Sequence, residues 1–224
     1  MSPSRSLPPE DPAATACEAT ATDRAGRRAL VLVVTGPSRA GKTTVCRRVV
    51  EAAGRRRLSI AGLLTEDGTD EAGNALQIVR DLSSNRCHLL AQARPGKDGA
   101  RAGYAVDLLR RPESPYPPDG YHLRWEFDAE GLEFGREALR VAGQKACDLL
   151  VVDQIGPLEM RHGGGWTCVF ELVRAGRFGL ALVVVNPAVV DEFVATLDHP
   201  CRVLRVDEAG RSALPATIEA AHLV

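Results

Sequence analysis

The sequence predicts an α/β chain of three layers, a mostly parallel central sheet with helices on both faces. Three observations carry this. Runs of strand length are apolar without interruption, at 30–35 (LVLVVT), 149–152 (LLVV) and 180–185 (LALVVV), as in strands buried on both faces. Stretches with apolar spacing of three and four separate them, as in helices. Capping residues, prolines and glycines mark the junctions, so strand and helix alternate along the chain, the pattern of crossover connections.

Residues 1–28 are rich in Pro, Ala, Ser and Thr without apolar periodicity and read as a disordered tail, leaving 29–224 as one domain. The first strand covers Leu30 to Thr35. A helix follows from Thr43 to Ala53, with Val45, Val49 and Ala53 on one face, Gly54 closing its end and Arg55, Arg56 and Arg57 as a solvated terminus favoured by the helix dipole. Ser59 to Thr65 reads as a strand, and 74–91 as a hairpin turning at Ser83-Ser84-Asn85-Arg86. Residues 93–124, rich in Pro and Arg, read as a long surface loop with a short strand at Ala105-Val106. Asp128 caps a helix to Val141, with Leu132, Leu139 and Ala142 aligned. The strand at 149–152 ends on Asp153, and Gly163-Gly164-Gly165 forms a joint before a helix from Trp166 to Arg174. After the strand at 180–185, Pro187 opens a helix to Leu197, Val203 to Val206 forms a strand, and Pro215 opens the last helix.

Bulk properties narrow the function. With 224 residues and 45% hydrophobic content, the chain suits one globular domain. A net charge of -1 supplies no global basic field for nucleic acid or membranes. No run reaches the roughly 18 apolar residues of a membrane span. The N-terminus lacks an apolar signal core, and Glu10, Asp11, Glu18 and Asp23 oppose a transit peptide, which points to the cytoplasm. The six cysteines (Cys17, Cys46, Cys87, Cys147, Cys168, Cys201) are dispersed without a C-x-x-C pair and read as small thiols of a reducing compartment. His88, His122, His162, His199 and His222 show no metal-ligand spacing, and Trp125 and Trp166 read as packing residues.

One local motif carries chemistry. Gly36-Pro37-Ser38-Arg39-Ala40-Gly41-Lys42-Thr43 fits G-x-x-x-x-G-K-[ST] at every fixed position, between a buried strand and a helix. Gly36 and Gly41 permit backbone torsions that let N–H groups turn inward as an anion nest, and the helix end adds its positive dipole. Lys42, one of only three lysines, supplies a cation to the β- and γ-phosphates. The Thr43 hydroxyl is a ligand for Mg²⁺, and Thr44 extends the phosphate cradle. Asp153, at the end of an apolar strand, fits the second magnesium anchor. Many ATPases place Glu next; here Gln154 follows, which orients a water but cannot accept its proton as a carboxylate does. Glu159, Glu66 or the substrate phosphate are left as proton acceptors, and slow turnover with intact nucleotide binding follows.

Several segments in order resemble the small P-loop nucleoside-triphosphatases first described from thermophiles. They are GPSRAGKTT at 36–44, Gly62-Leu63-Leu64-Thr65-Glu66, Gly103-Tyr104-Ala105-Val106, Asp153-Gln154-Ile155-Gly156-Pro157-Leu158-Glu159 and Arg211-Ser212-Ala213-Leu214-Pro215. The likeness spans about residues 29–222, with Gln154 in place of Glu and Gly210 where Asn often precedes the Arg. It implies a three-layer P-loop fold, a nucleotide site that includes Asp153, Gln154 and Gly156, and slow phosphate release from ATP, GTP and other triphosphates.

Two other readings share the loop. A kinase would use an acceptor in place of water, with Arg94, Arg101, Arg110 and Arg111 as a lid. A non-catalytic nucleotide switch would explain Gln154. A guanine-specific GTPase lacks its base-reading N-K-x-D, since Asn186-Pro187-Ala188-Val189 has no lysine at the second position.

Overall fold

The computed structural model describes residues 29–71, 73–93, 125–207 and 210–223. The expected tail, the 93–124 loop beyond Ala93 with its Ala105-Val106 strand, and the Gly103–Val106 segment lie outside them.

The chain runs β1 (Leu30–Thr35), α1 (Lys42–Arg55), β2 (Ile60–Thr69), β3 (Ala75–Asp81), β4 (Cys87–Ala93), β5 (Trp125–Phe127), α2 (Ala129–Ala142) and β6 (Cys147–Ile155). It continues with α3 (Pro157–His162), α4 (Cys168–Ala175), β7 (Phe178–Val185), α5 (Val190–Val194), β8 (Cys201–Arg205) and α6 (Leu214–His222). One eight-stranded sheet has the order β5-β4-β3-β2-β6-β7-β1-β8. From β2 to β8 neighbours pair in parallel, and β3, β4 and β5 extend the sheet antiparallel from β2.

The uninterrupted apolar strands do what their pattern requires. Leu32, Leu149, Val151, Leu182 and Val184 pack with Val45, Cys46 and Val49 of α1 and Ile218 of α6. Their alternate neighbours Val31, Val33, Leu150, Val152, Ala181 and Val183 pack on the other face with Leu139 of α2, Val169 of α4 and Phe193 of α5. Strand residues of both parities are buried because helices cover both faces. This is the expected three-layer α/β arrangement.

Local chemistry explains several boundaries. The Asp128 carboxylate accepts a hydrogen bond from Gly131 N at 2.7 Å, capping α2 as expected. The expected stop at Gly54 is corrected: α1 runs on to Arg55, and Arg57 takes the left-handed turn at φ 58. Leu58 N donates to Ala53 O and Arg57 N to Gly54 O, so the turn after Arg56 satisfies the last carbonyls. Arg55 and Arg56 are not merely solvated, because both pair with Glu219 and tie α1 to α6. The helix expected from Pro187 to Leu197 is a 3₁₀ turn, Pro187–Val189, followed by the short α5. Asn186 Oδ1 accepts from Ala188 N at 3.0 Å and tightens that first turn, and isolated turns continue to Leu197. Two elements escape a reading by periodicity, β5 with three residues and α3 with six.

Candidate active site

The strand–loop–helix from β1 to α1 places the loop at the carboxyl end of the parallel strands, the usual ligand edge of such sheets. Gly36 has φ 155, and a Cβ there would lie 2.3 Å from Val206 O. Val206 N in turn donates to Thr35 O at 2.7 Å, so the loop leaves the sheet pressed against the end of β8. Gly41, at φ 99, is the residue before α1, where a side chain would strain the backbone and meet Arg211. Pro37, Ser38 and Arg39 are exposed, and Arg39 also takes a positive φ of 63. Ala40, Gly41, Lys42, Thr43 and Thr44 are half-buried.

Lys42 Nζ donates to Gly36 O at 2.9 Å and Pro37 O at 2.7 Å, spanning the loop from within. Burial lowers its pKa, while the nearby Asp153 carboxylate partly restores it. Thr43 Oγ1 donates to Asp153 Oδ2 at 2.7 Å. Two residues 110 apart in sequence thus meet side by side, and the structure brings together Lys42, Thr43 and Asp153. Asp153 is 2% exposed, and desolvation raises its pKa to about 6 against the pull of Thr43, Thr65 and Lys42. Thr65 of β2 donates its hydroxyl to Asp153 O, locking β2 to the end of β6. Asp67 adds a second negative charge near Asp153.

Gln154 is exposed between the buried Asp153 and Ile155. Asp153 pairs with Val184 and Ile155 with Val185, so Gln154 is the extra residue of a bulge, turned outward at the rim. Glu66 and Glu159 have other occupations. The Glu66 carboxylate accepts from Arg80 Nη2 at 2.7 Å and Nε at 3.2 Å, and Arg47 Nε of α1 lies 3.4 Å away. Both guanidinium groups thus hold the Glu66 carboxylate between β3 and α1. Glu159 is turned inward: it accepts from Gly156 N at 2.9 Å and Trp166 N at 3.4 Å, and a Cβ at Gly165 would lie 1.9 Å from its Oε1. It fastens the end of β6 to the start of α4. Arg47, Arg80, Asp67 and Thr65 are the neighbours that sequence reading left unassigned. Their signal is cross-strand and helix register, since Arg80 stands opposite Leu64 and reaches Glu66 diagonally.

The other singled-out residues are structural. Trp166 packs on Gly135 of α2, and its indole N–H donates to Leu132 O at 3.1 Å. His199 Nε2 lies 3.0 Å from Arg174 O, and the ring packs edge-on against Phe178. Asn186, where a guanine reader would begin, caps the 3₁₀ turn.

A family model described as NTPase matches residues 31–113. The nucleoside-triphosphatase THEP1 of Methanosarcina acetivorans is 27% identical over 190 residues, covering 84% of this chain and 94% of the relative. That of Methanosarcina barkeri is also 27% identical, covering 84% and 95%. Among solved structures, a human cancer-related nucleoside triphosphatase superposes with TM-score 0.57 at 18% identity, over 87% of this chain and 96% of the other. The chain is similar to the THEP1 nucleoside-triphosphatases along most of its length. THEP1 from Aquifex aeolicus shares the fold as well, with TM-score 0.56 at 14% identity over 86% and 98%.

Beside this site, Glu159 makes a testable contribution to stability. Burial raises its pKa from 4.5 to about 7, although the Gly156 and Trp166 amides pull it down. The folded state therefore holds the proton more tightly than the unfolded chain. Its stabilisation is complete below about pH 4.5 and is lost as pH rises through about 7, a swing on the order of 3 kcal/mol. Melting temperatures are expected to fall by several degrees more between pH 5 and pH 8 in the native protein than in Glu159→Gln. Equal slopes in the two proteins would remove Glu159 as the source.

Proposed function

We propose that this chain hydrolyses nucleoside 5′-triphosphates, ATP and GTP among them, to diphosphate and phosphate with Mg²⁺, and does so slowly. The observation that carries the reading is the meeting of the Thr43 hydroxyl and the Asp153 carboxylate beside Lys42 at the mouth of the loop. The family likeness supports the activity, since the relatives are named nucleoside-triphosphatases.

The residues present suit magnesium. Thr43 and Asp153 offer two hard oxygen donors, and Asp153 is a buried carboxylate whose raised pKa marks an anion short of compensating charge. Thr43 and Asp153 would hold the ion. When bound, Mg²⁺ neutralises charge on the β- and γ-phosphate oxygens. The loop amides and Lys42 bind and align the triphosphate chain, and Gly36 and Gly41 let the backbone come close enough. Gln154, turned outward at the bulge, orients the attacking water through its carboxamide. With Glu66 paired to two arginines and Glu159 buried as a brace, neither is placed to take the proton. It passes to a γ-phosphate oxygen as water oxygen bonds to the γ-phosphorus and the β–γ bridging oxygen leaves with the diphosphate. Loss of a dedicated base accounts for slow turnover. The five described cysteines are all unpaired, which supports a reducing, cytoplasmic setting.

The test is phosphate release from ATP, GTP, CTP and UTP, with and without Mg²⁺, under multiple and single turnover. Mg²⁺-dependent release from all of them is expected. Gln154→Glu is expected to raise the hydrolytic rate at least about tenfold at unchanged nucleotide affinity. A sharp fall in that variant would reject water orientation by Gln154, and tight binding without any release would make the protein a switch instead.

A further inference from the structure

The carboxyl edge of the sheet is asymmetric about the loop. β1 lies between β7 and β8, and Asp153 ends β6, beyond β7. The Thr43–Asp153 pair therefore marks one side of the loop as the γ-phosphate end. A triphosphate held there runs back across the loop, so its nucleoside emerges on the opposite side, toward β8.

On that side stands Arg211. A Cβ built on Gly41 would lie 3.0 Å from Arg211 Cδ, 3.4 Å from its Cβ and 3.8 Å from its Cγ, so the aliphatic stem of Arg211 lies along the last glycine of the loop. The residue is exposed. Its backbone is fixed by the 3₁₀ turn Gly210–Ser212, where Arg211 N donates to Asp207 O at 3.1 Å and the Asp207 carboxylate accepts from Gly210 N. Gly36 lies against Val206, and Arg211 N is bonded to Asp207 next to it, so loop and turn lie side by side.

We propose that Arg211 is the platform for the nucleobase, its guanidinium plane stacking on the face of the base. This rests on the proposed binding of nucleoside triphosphates by the loop. A guanidinium stacks on aromatic faces. Stacking without contacts to base edges tolerates every base, because each has a π-face. The edge-reading segment of GTPases has no counterpart here, and Asn186, its nearest match, is used as a cap. Arg211 thereby accounts for a site that takes triphosphates of several bases.

Binding is measured by calorimetry in Mg²⁺ for ATP, GTP, CTP, UTP and inorganic tripolyphosphate, which has no base. Arg211→Ala is expected to weaken all four nucleotides about fivefold to tenfold and leave tripolyphosphate unchanged. Arg211→Lys keeps the charge and a similar stem but loses the plane, and is expected to bind as weakly as Arg211→Ala. Three results would overturn the inference: unchanged nucleotide affinity in Arg211→Ala, a parallel loss for tripolyphosphate, or full recovery with lysine. If the native protein binds tripolyphosphate and nucleotides equally, the stacking role falls while the phosphate site stands. If it binds neither, the functional reading itself falls.

Discussion

Lys42→Ala is expected to lower kcat/KM for every nucleoside triphosphate by about a hundredfold to a thousandfold, the loss typical of a preorganised charge donor. The side chain has two tasks. It donates to Gly36 O and Pro37 O, holding the loop around itself, and it brings a cation within electrostatic reach of Asp153. Alanine removes both. The desolvation that lowers the Lys42 pKa is a cost borne in the folded protein, so its removal should alter the melting temperature little. Lys42→Arg separates charge from shape: a planar fork cannot replace a compact ammonium within the loop, and most of the loss is expected to remain. Phosphate release and calorimetry on the same preparations check this. Near-native turnover in Lys42→Ala would place the chemistry outside the loop.

How much of this site could be read in advance depends on how far apart its parts lie in sequence. The loop is eight consecutive residues with fixed positions, between elements that announce themselves by apolar runs, so Gly36 to Thr43 is legible without a structure. Asp153 is legible only in company with the loop, because many buried strands reach a carboxylate and the apolar run at 149–152 gains meaning from the Lys42-Thr43 pair upstream. Glu66 and Glu159 look equivalent to it in sequence. Their different fates follow from packing that no local pattern encodes. Glu66 meets Arg80 only through the β2–β3 register, and Glu159 is drawn inward because Gly165 has no side chain to block it. The outward turn of Gln154 depends on a one-residue mismatch between β6 and β7, which exists only once those strands pair. The three-layer fold was likewise legible from the alternation of elements. The short β5 and α3 were not, since three and six residues hold too little periodicity to register.

Gly62→Ala tests whether the geometry of Asp153 is set from β2. Gly62 pairs with Val151 in the parallel β2–β6 ladder, with φ 105. A Cβ there would lie 1.9 Å from Val151 O and 2.9 Å from Val151 C, both backbone atoms that cannot swing aside. Alanine thus faces a disfavoured torsion and a collision with the neighbouring strand, together costing roughly 4 kcal/mol. In a domain of this size that corresponds to a melting temperature lower by about 10 °C. The strand can escape only by moving away from β6, which carries with it Thr65, whose hydroxyl holds the Asp153 carbonyl. Hydrolysis by the protein still folded is therefore expected to drop as well, although Gly62 touches none of Lys42, Thr43 or Asp153. Gly54→Ala is the matched control: it lies in the last turn of α1 with nothing within 4 Å of a Cβ, and alanine there is expected to stabilise by up to about 1 kcal/mol and leave activity unchanged. Should Gly62→Ala melt and turn over like the native protein, the separation of β2 and β6 is not what holds Asp153 in place.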